Sequence, residues 1–363
     1  MSTNNKIPLS PGRVVIAMSG GVDSSVAAAL LVEQGYDAIG ITIKTSNYEE
    51  VGGNVYNDSS CCSLEGINDA RLVASKLNFP HYVVDFTEQF KKEVIDNFTN
   101  EYLAGRTPNP CVICNRKIKW EELINKALTL DAQYIATGHF AKVSYDPNRK
   151  RYILLRGKDE GKDQSYALWG LTQESLSKTI FPLGELTKVE VRELAKKFGL
   201  KTASKGESFE ICFIADNNYE RFLKEQVPNL ENKVSGGDII FDNKVVAKHR
   251  GYPFYTIGQR KGIGTAFGEP VYVTEIDANT NTIKLGREKD LLHKGLIANQ
   301  INLISVTDIQ EELRVLAKIR YKDEGSTGIV QRDDSDRIRI IFDEPKRSIT
   351  PGQSVVMYDG NEI

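Results

Sequence analysis

Short unbroken apolar runs and longer stretches with a single apolar face take turns along the first half of the chain. Residues 13–18 (RVVIAM) read as a buried strand. Residues 24–34 read as a helix with Val26, Ala27, Leu30 and Leu31 on one face and Gly35 placed to end it. The pattern repeats with a second strand at 38–43 (AIGITI), a helix at 67–77 and a third strand at 82–86. Helices at 88–103 and 116–128 and a fourth strand at 134–137 follow. Thr187 and Glu190 have capping-box spacing, predicting a helix through Phe198 that Gly199 stops. Strand and helix in alternation predict an α/β fold with a doubly wound, mainly parallel sheet. Ligands of such sheets sit beyond the carboxyl ends of the strands.

Beyond Cys212 the pattern changes. Glycines crowd residues 236–268 and helical periodicity fades. From about 301 short alternating segments dominate, at 314–321, 337–342 and 354–358, which predicts a small antiparallel β-barrel. The expected division is 1–215 for the α/β unit, 216–290 for a small central β-rich domain and 291–363 for the barrel. A length of 363 residues agrees with several domains.

The chain is 40% apolar and 26% charged, with no apolar run long enough to span a bilayer and a polar start, MSTNNKIPLS. A cytoplasmic protein with no membrane partner is the expectation. The net charge of −2 does not advertise a nucleic-acid partner, although Lys and Arg cluster at 149–151, 314–320 and 346–347. Each cluster alone reads as a solvated surface. Five cysteines, Cys61, Cys62, Cys111, Cys114 and Cys212, are too few and odd in number for a secreted disulfide framework.

Chemistry concentrates first in Ser19-Gly20-Gly21-Val22-Asp23-Ser24-Ser25, between the first strand and the first helix. Glycines remove Cβ atoms so that backbone amides can approach an anion, and the serines add hydroxyls at a helix N-terminus. Asp23 is a candidate for Mg²⁺. No Gly-Lys-Ser follows, so this is not the usual P-loop. A tight capped turn is the bland alternative, and the full string SGGVDSS argues against it. The string resembles the PP-loop of ATP-pyrophosphatases, which cleave ATP between its α- and β-phosphates and adenylate an oxygen of the substrate.

Cys111 and Cys114 lie in Thr107-Pro108-Asn109-Pro110-Cys111-Val112-Ile113-Cys114-Asn115, just ahead of a helix expected from about Arg116. A thiol at a helix N-terminus beside Arg116 and Lys117 gains thiolate character, as a nucleophile requires. C-x-x-C alone also fits a zinc half-site or a redox pair. Cys212 alone would read as a buried structural cysteine.

Taken with the PP-loop, the strings GRTPNPCVICN, ATGHFAKV, GKDQSYALW, GESFEICFI, YTIGQRKGIG and PGQSVVMYDG carry a resemblance over nearly the whole chain. The chain resembles the tRNA-specific 2-thiouridylases, whose first domain is adenine-nucleotide alpha-hydrolase-like. That resemblance implies an enzyme that uses ATP with Mg²⁺ to adenylate the C2 oxygen of the wobble uridine of tRNA and then replaces it with sulfur, releasing AMP. Cys114 matches the nucleophile and Cys212 the cysteine that carries a persulfide. Ala17, Met18, Ser19, Gly20, Gly21, Val22, Asp23 and Ser24 would surround ATP, Ile43 would touch adenine, and Gly138 would let the nucleotide approach. Asn109, Pro110 and Cys111 match the surroundings of the target base. His139, Lys162, Asp163, Gln164, Arg320, Tyr321 and Gln353 match positions that touch tRNA. Partners implied are the tRNA anticodon stem-loop and a persulfide donor such as a cysteine desulfurase or relay protein.

One position departs from the family pattern. Many relatives carry Asp where this chain has Cys111. Two sulfur carriers therefore stay open: a Cys212 persulfide released by Cys114, or a [4Fe–4S] cluster held by Cys111, Cys114 and Cys212 with one iron open to sulfide. An ATP-dependent ligase of the same group and a non-catalytic tRNA-binding protein are the rival functions. Cys61 and Cys62 receive no role.

Overall fold

A computed structural model describes residues 11–45, 64–206, 211–214, 216–265 and 267–363. Cys61 and Cys62 lie outside the described residues. The first strand, β1 (Arg13–Ala17), is followed by α1 (Val22–Glu33), β2 (Asp37–Lys44), α2 (Leu64–Lys76) and β3 (His81–Asp85). Each expected element is present with its ends moved by a few residues. The next helix, α3, runs over 87–103 with a π-helical stretch at Lys91–Ile95. Helix α4 covers 110–128 and is π-helical over Cys114–Glu122. It starts at Pro110, not near Arg116 as the apolar pattern implies, because proline at the first helical position costs no hydrogen bond. Cys111 and Cys114 are thus inside the helix's opening turns.

After β4 (Tyr134–Ala136) come a hairpin, β5 (Ala141–Asp146) with β6 (Arg151–Arg156), then β7 (Thr179–Ile180) and α5 (Lys188–Lys197). Neither the hairpin nor β7 is signalled by periodicity. The sheet order is β3-β2-β1-β4-β7 with every pairing parallel, the expected doubly wound arrangement. Its central strand β1 buries Val14, Val15 and Ile16 completely, sandwiched between helices on both faces. The capping box predicted at α5 is made in full, with Thr187 and Glu190 bonded reciprocally.

Two helices, Tyr219–Gln226 and Leu230–Val234, occupy the region where helical periodicity fades, so that expectation fails there. Beyond them β8 (Asp238–Phe241), β9 (Lys244–Lys248), β10 (Tyr272–Asp277) and β11 (Thr282–Gly286) form a sheet ordered β10-β11-β8-β9. The last sheet holds β12 (Leu292–Asn299), β13 (Leu313–Lys318), β14 (Ser326–Arg332), β15 (Arg337–Arg347) and β16 (Val356–Tyr358), all antiparallel in the order β12-β15-β14-β13-β16. Alternation on β15 sends Ile338, Ile340 and Phe342 inward, as expected for half-buried barrel strands. Among the described residues no helix is long and apolar enough to cross a membrane.

One core crosses the boundary between the α/β unit and the central sheet. Phe98 of α3 meets Phe213 at 5.3 Å and Phe222 at 5.9 Å between ring centroids, edge to face, and Phe90 meets Phe213 at 5.7 Å. Tyr252 donates from its hydroxyl to the Leu103 carbonyl at 2.7 Å. Ile239, Val273, Ile283 and Leu285 of the central sheet belong to the same buried cluster. Truncating Phe98, which is 1% exposed, empties the middle of that cluster. The Phe98→Ala protein is expected to lose about 3–5 kcal/mol in denaturant unfolding, with the central sheet and α3 losing hydrogen-exchange protection together.

Candidate active site

Strand β1 ends at Ala17, and the chain turns through 18–21 into α1. Met18 is buried, and its carbonyl accepts a hydrogen bond from the Thr42 hydroxyl at 2.7 Å, which ties the turn to β2. Gly20 has φ +73°, and a Cβ there would stand 2.1 Å from the Gly66 carbonyl oxygen of α2, so no other residue fits. Gly21 caps α1 without a side chain. The Ser24 and Ser25 hydroxyls donate to the Gly21 carbonyl at 3.2 and 2.7 Å, and the Ser19 amide donates to Ser24 Oγ at 3.2 Å. These bonds fold the loop over the first turn of α1. Helix geometry leaves the first-turn amides there without an i−4 carbonyl, and the helix dipole is positive, so the turn suits an anion.

Three strands bring their carboxyl ends to this edge. Ile43, at the end of β2, is half-buried and bridges two core clusters. Gly138 follows β4, and a Cβ on it would lie 2.7 Å from both the carbonyl carbon of Asp23 and the amide nitrogen of Ser24. Its small size is therefore demanded by the protein's own loop, a tighter reason than the nucleotide approach anticipated. His139 is half-buried, packs 5.5 Å from the Trp120 ring and shares a hydrogen bond between Nδ1 and Thr137 Oγ1 at 2.8 Å. Burial, then the charge of Lys119, pushes its imidazole well below the usual range, so it is neutral.

A residue the sequence reading passed over completes the loop. Lys188, first in α5 and 8% exposed, donates to both carboxylate oxygens of Asp23 at 2.6 and 2.8 Å. Its own amide donates to Asp159 at 2.8 Å. A signal was present: a cation in a helix's first turn opposes the dipole, and that misfit asks for a local partner.

The cysteines divide into two kinds. Cys114 and Cys212 are half-buried, and both pack on the cluster that holds Phe98 and Phe213. Cys111 is exposed. All three are thiols. Among the described residues no group of three His, Cys, Asp or Glu side chains is arranged to hold a metal ion. The three thiols therefore do not fit a cluster's ligand set in this conformation.

The tRNA-contact candidates fall into two patches. Asn109 and Pro110 open α4, Pro110 is buried, and Asn109 bonds the Tyr166 hydroxyl. Gln353 donates from Nε2 to the carbonyls of Thr107 and Pro108, both at 2.9 Å, while the Thr107 amide donates to the Pro351 carbonyl at 2.9 Å. Tyr166 donates to the Ser354 carbonyl at 2.8 Å and Trp169 to Ser354 Oγ at 2.9 Å. Tyr321, 44% exposed, lies 6.2 Å from the Tyr166 ring, and Arg320 donates to the Arg347 and Ser348 carbonyls. Asn109, Arg320, Tyr321 and Gln353 thus share one neighbourhood around Tyr166. A cleft of about 1130 Å³ opens beside it, lined by Pro108, Asn109, Trp169 and Gln353 and by the inner face of the last sheet.

In the second patch, Asp163 accepts from the Gly157 and Ser165 amides at 3.0 and 3.1 Å. Gln164 brackets Phe140, accepting from its amide at 3.0 Å and donating its own amide to the Phe140 carbonyl at 2.9 Å. The amide of Lys162 donates to the Asp159 carbonyl at 3.0 Å. This loop is pinned next to His139, Asp163 and Gln164 shape it, and Ser165 ties it to the Tyr166 neighbourhood through Asp163 and the Tyr358 hydroxyl.

Three family models match the chain in succession. Residues 12–216 match the family described as tRNA methyl transferase HUP domain, 220–287 the tRNA methyl transferase PRC-barrel domain, and 293–363 the Aminomethyltransferase beta-barrel domain. The tRNA-specific 2-thiouridylase MnmA of Salinibacter ruber is 54% identical over 97% of this chain and 92% of its own length. The proteins of that name from Amoebophilus asiaticus and Cytophaga hutchinsonii are 50% and 48% identical over 97% of this chain and 93% and 95% of theirs.

Two outcomes are expected from this geometry. Gln353→Ala releases the 107–108 carbonyls, so turnover should fall about tenfold or more with nucleotide affinity unchanged, and Gln353→Asn should not restore it because the shorter amide cannot span both carbonyls. His139 is held below its ordinary 6.5, so the unfolded chain binds the proton more readily. Its contribution to stability is complete above about pH 6.5 and is lost as pH falls below it. Burial depresses His81 and His249 in the same sense. The melting temperature should therefore drop between about pH 7 and pH 5, and His139→Gln should flatten part of that slope.

Proposed function

The chain belongs to the tRNA-specific 2-thiouridylase family, and from that premise we propose how its residues divide the work. The enzyme carries out ATP-dependent 2-thiolation of a tRNA uridine; we take the wobble position of the anticodon as the target and the cytoplasm as the compartment. The observation that carries the residue assignment is the common seat of Cys114 and Cys212 on one apolar cluster.

ATP, as its Mg²⁺ complex, occupies the turn between β1 and α1. Residues 17–24 surround its phosphates, with Ile43 against the adenine. The C2 oxygen of uridine attacks the α-phosphorus, and pyrophosphate leaves with the bonding electrons. The terminal sulfur of a Cys212 persulfide then attacks C2, and AMP leaves with the former carbonyl oxygen. The Cys114 thiolate attacks Cys212 Sγ, which frees the thiocarbonyl and leaves a Cys114–Cys212 disulfide. A thiol reductant and a fresh persulfide donor, such as a cysteine desulfurase or relay protein, restore the starting state. Cys114 follows the first turn of α4, Pro110–Ile113.

Asn109 opens α4, where the flipped base would lie close to Cys114, Gln353 holds the backbone ahead of it, and Arg320 and Tyr321 offer a cation and an exposed ring to RNA in the same neighbourhood. Residues 1–215 hold the nucleotide and both thiols, 216–290 back the sulfur site, and 291–363 close the cleft. The persulfide route uses Cys114 and Cys212, and among the described residues no group of three His, Cys, Asp or Glu side chains is arranged to hold a cluster.

Mass spectrometry of tRNA nucleosides tests the assignment. Cys114→Ser and Cys212→Ser should each reduce 2-thiouridine formation by about 10³ or more, while pyrophosphate release with tRNA persists. Cys111→Ser should retain most activity, and enzyme purified without oxygen should thiolate at far below one iron per chain. Loss of activity on removing Cys111, with iron and labile sulfide bound in proportion to activity, would replace the persulfide by the cluster.

A further inference from the structure

The arginines of residues 216–290 are engaged by the protein's own acids, with one exception. Arg221 reaches Asp216 at 2.7 Å, Arg250 reaches Glu220 at 3.0 Å, and Arg287 reaches Asp242 at 3.0 Å and Glu269 at 2.8 Å. Arg260 and its neighbour Lys261 are exposed, and among the described residues neither makes an ion pair, a side-chain hydrogen bond or a ring contact. The chain as a whole carries a net charge of −2, so it exerts no general pull on a polyanion. Attraction must come from local cations that no carboxylate neutralises.

The backbone that presents these two residues is fixed. The Gln259 side chain accepts from the Thr256 amide at 3.1 Å and donates to the Lys261 carbonyl at 2.9 Å. The Gly258 amide donates to the Val273 carbonyl at 2.8 Å, and the Val273 amide to the Gln259 carbonyl at 3.0 Å. Ile263, 4% exposed, anchors the far side. Gly262 and Gly264 turn the chain at φ +73° and +90°, a region that favours glycine. A hollow of about 420 Å³ opens there, lined by Arg260, Gly262, Gly264, Thr265, Phe267 and Glu269. Its acid, Glu269, is the one Arg287 holds. Among the described residues the amides of Gly262, Gly264 and Thr265 donate to no protein atom. The hollow therefore offers a cation and backbone donors at glycines, where no Cβ keeps an anion away.

Its position links it to RNA. A Cβ on Gly258 would stand 2.8 Å from Ser348 Oγ, and the Ser348 carbonyl accepts from Arg320 at 3.2 Å. One residue thus separates the glycine loop from the turn that carries Arg320 and Tyr321.

We propose that residues 259–265 form an RNA-binding loop, in which Arg260 and Lys261 take phosphates of the tRNA backbone as it runs across Ser348 from the Arg320–Tyr321 turn. This rests on the reading of Arg320 and Tyr321 as RNA contacts. Contacts to phosphate carry no sequence information, so the loop grips and orients the substrate without selecting it.

Initial rates of thiolation by the full chain, with ATP and persulfide donor saturating, test the loop when tRNA is varied at several salt concentrations. The variants are Arg260→Gln, Lys261→Gln, the Arg260→Gln/Lys261→Gln pair, Arg260→Lys, Arg320→Gln and, as a charge control, Lys196→Gln in the last turn of α5. The pair should raise KM for tRNA about tenfold or more, with kcat and KM for ATP within about twofold of wild type. Its plot of log kcat/KM against log salt should be shallower by about 1 to 2, as expected for the loss of two phosphate contacts. Arg260→Lys keeps the charge and should keep the slope, and Lys196→Gln should move neither quantity. An unchanged tRNA KM and slope in the pair overturn the proposal, and so does an equal effect from Lys196→Gln, which would reduce it to net charge. A defect confined to KM for the persulfide donor would make the loop a protein-docking face, and the RNA assignment would be wrong. If Arg320→Gln leaves the tRNA KM unchanged while the pair raises it, the reading of the Arg320 turn fails and the loop's own contact stands.

Discussion

The interlock of Phe98 with Phe213 and Phe222 is the constraint on which the rest of the molecule depends. Sulfur transfer between two side chains requires them within bonding reach, and Cys114 and Cys212 come from different segments of the chain. A loop alone would hold each in a spread of positions. An apolar cluster shared by α3, α4 and the central sheet removes that freedom, because close-packed aromatic rings admit few alternative arrangements. The central sheet therefore acts on the chemistry without touching a substrate. It closes one side of the cluster and seats the segment 211–214 that carries Cys212.

The last sheet is bound to the same helix from the other side. Gln353, Pro351 and Ser354 engage the backbone at 107–108 and the side chains of Tyr166 and Trp169. The strand-rich unit that borders the cleft is thereby rigidly registered against the start of α4. In the proposed reaction this means that a tRNA engaged by the last sheet arrives with its target base in a fixed relation to Cys114. Orientation of that kind carries a large part of a bimolecular barrier, and a shift of an ångström at a remote contact is enough to lose much of it.

Much of this was legible along the chain, and the reasons for the exceptions are physical. The parallel sheet declared itself because strands buried on both faces read as unbroken apolar runs, as in 13–18 and 38–43. The phosphate loop and the capping box at Thr187 are local, so a few consecutive residues specify them. Strand β7 is two residues long and leaves no period to detect. The start of α4 was placed too late because its opening turns are Pro-Cys-Val-Ile, a string with little amphipathic contrast, and the π-helical stretch after it shifts the apolar spacing. Lys188 and Gln353 went unrecognised in their observed roles for a shared reason: each acts on a partner far away in sequence. Gln353, expected to contact tRNA, also holds the 107–108 carbonyls, a bond no periodicity can announce.

The two ends of the site use opposite physics. At the loop after β1, polar backbone and the N-terminus of α1 face the place where a polyanion must be held and cleaved. At the proposed sulfur end, Cys114 and Cys212 are half-buried against the apolar cluster to which Phe213 and Phe98 belong. An apolar wall strips water from a persulfide, which leaves the sulfur a stronger nucleophile and shields the adenylated uridine from hydrolysis. Adenylation gains from charge, and sulfur transfer gains from dryness. A single environment could not serve both, so the fold sets them on separate supports: the edge of the parallel sheet for the phosphates, and the shared aromatic core for the thiols.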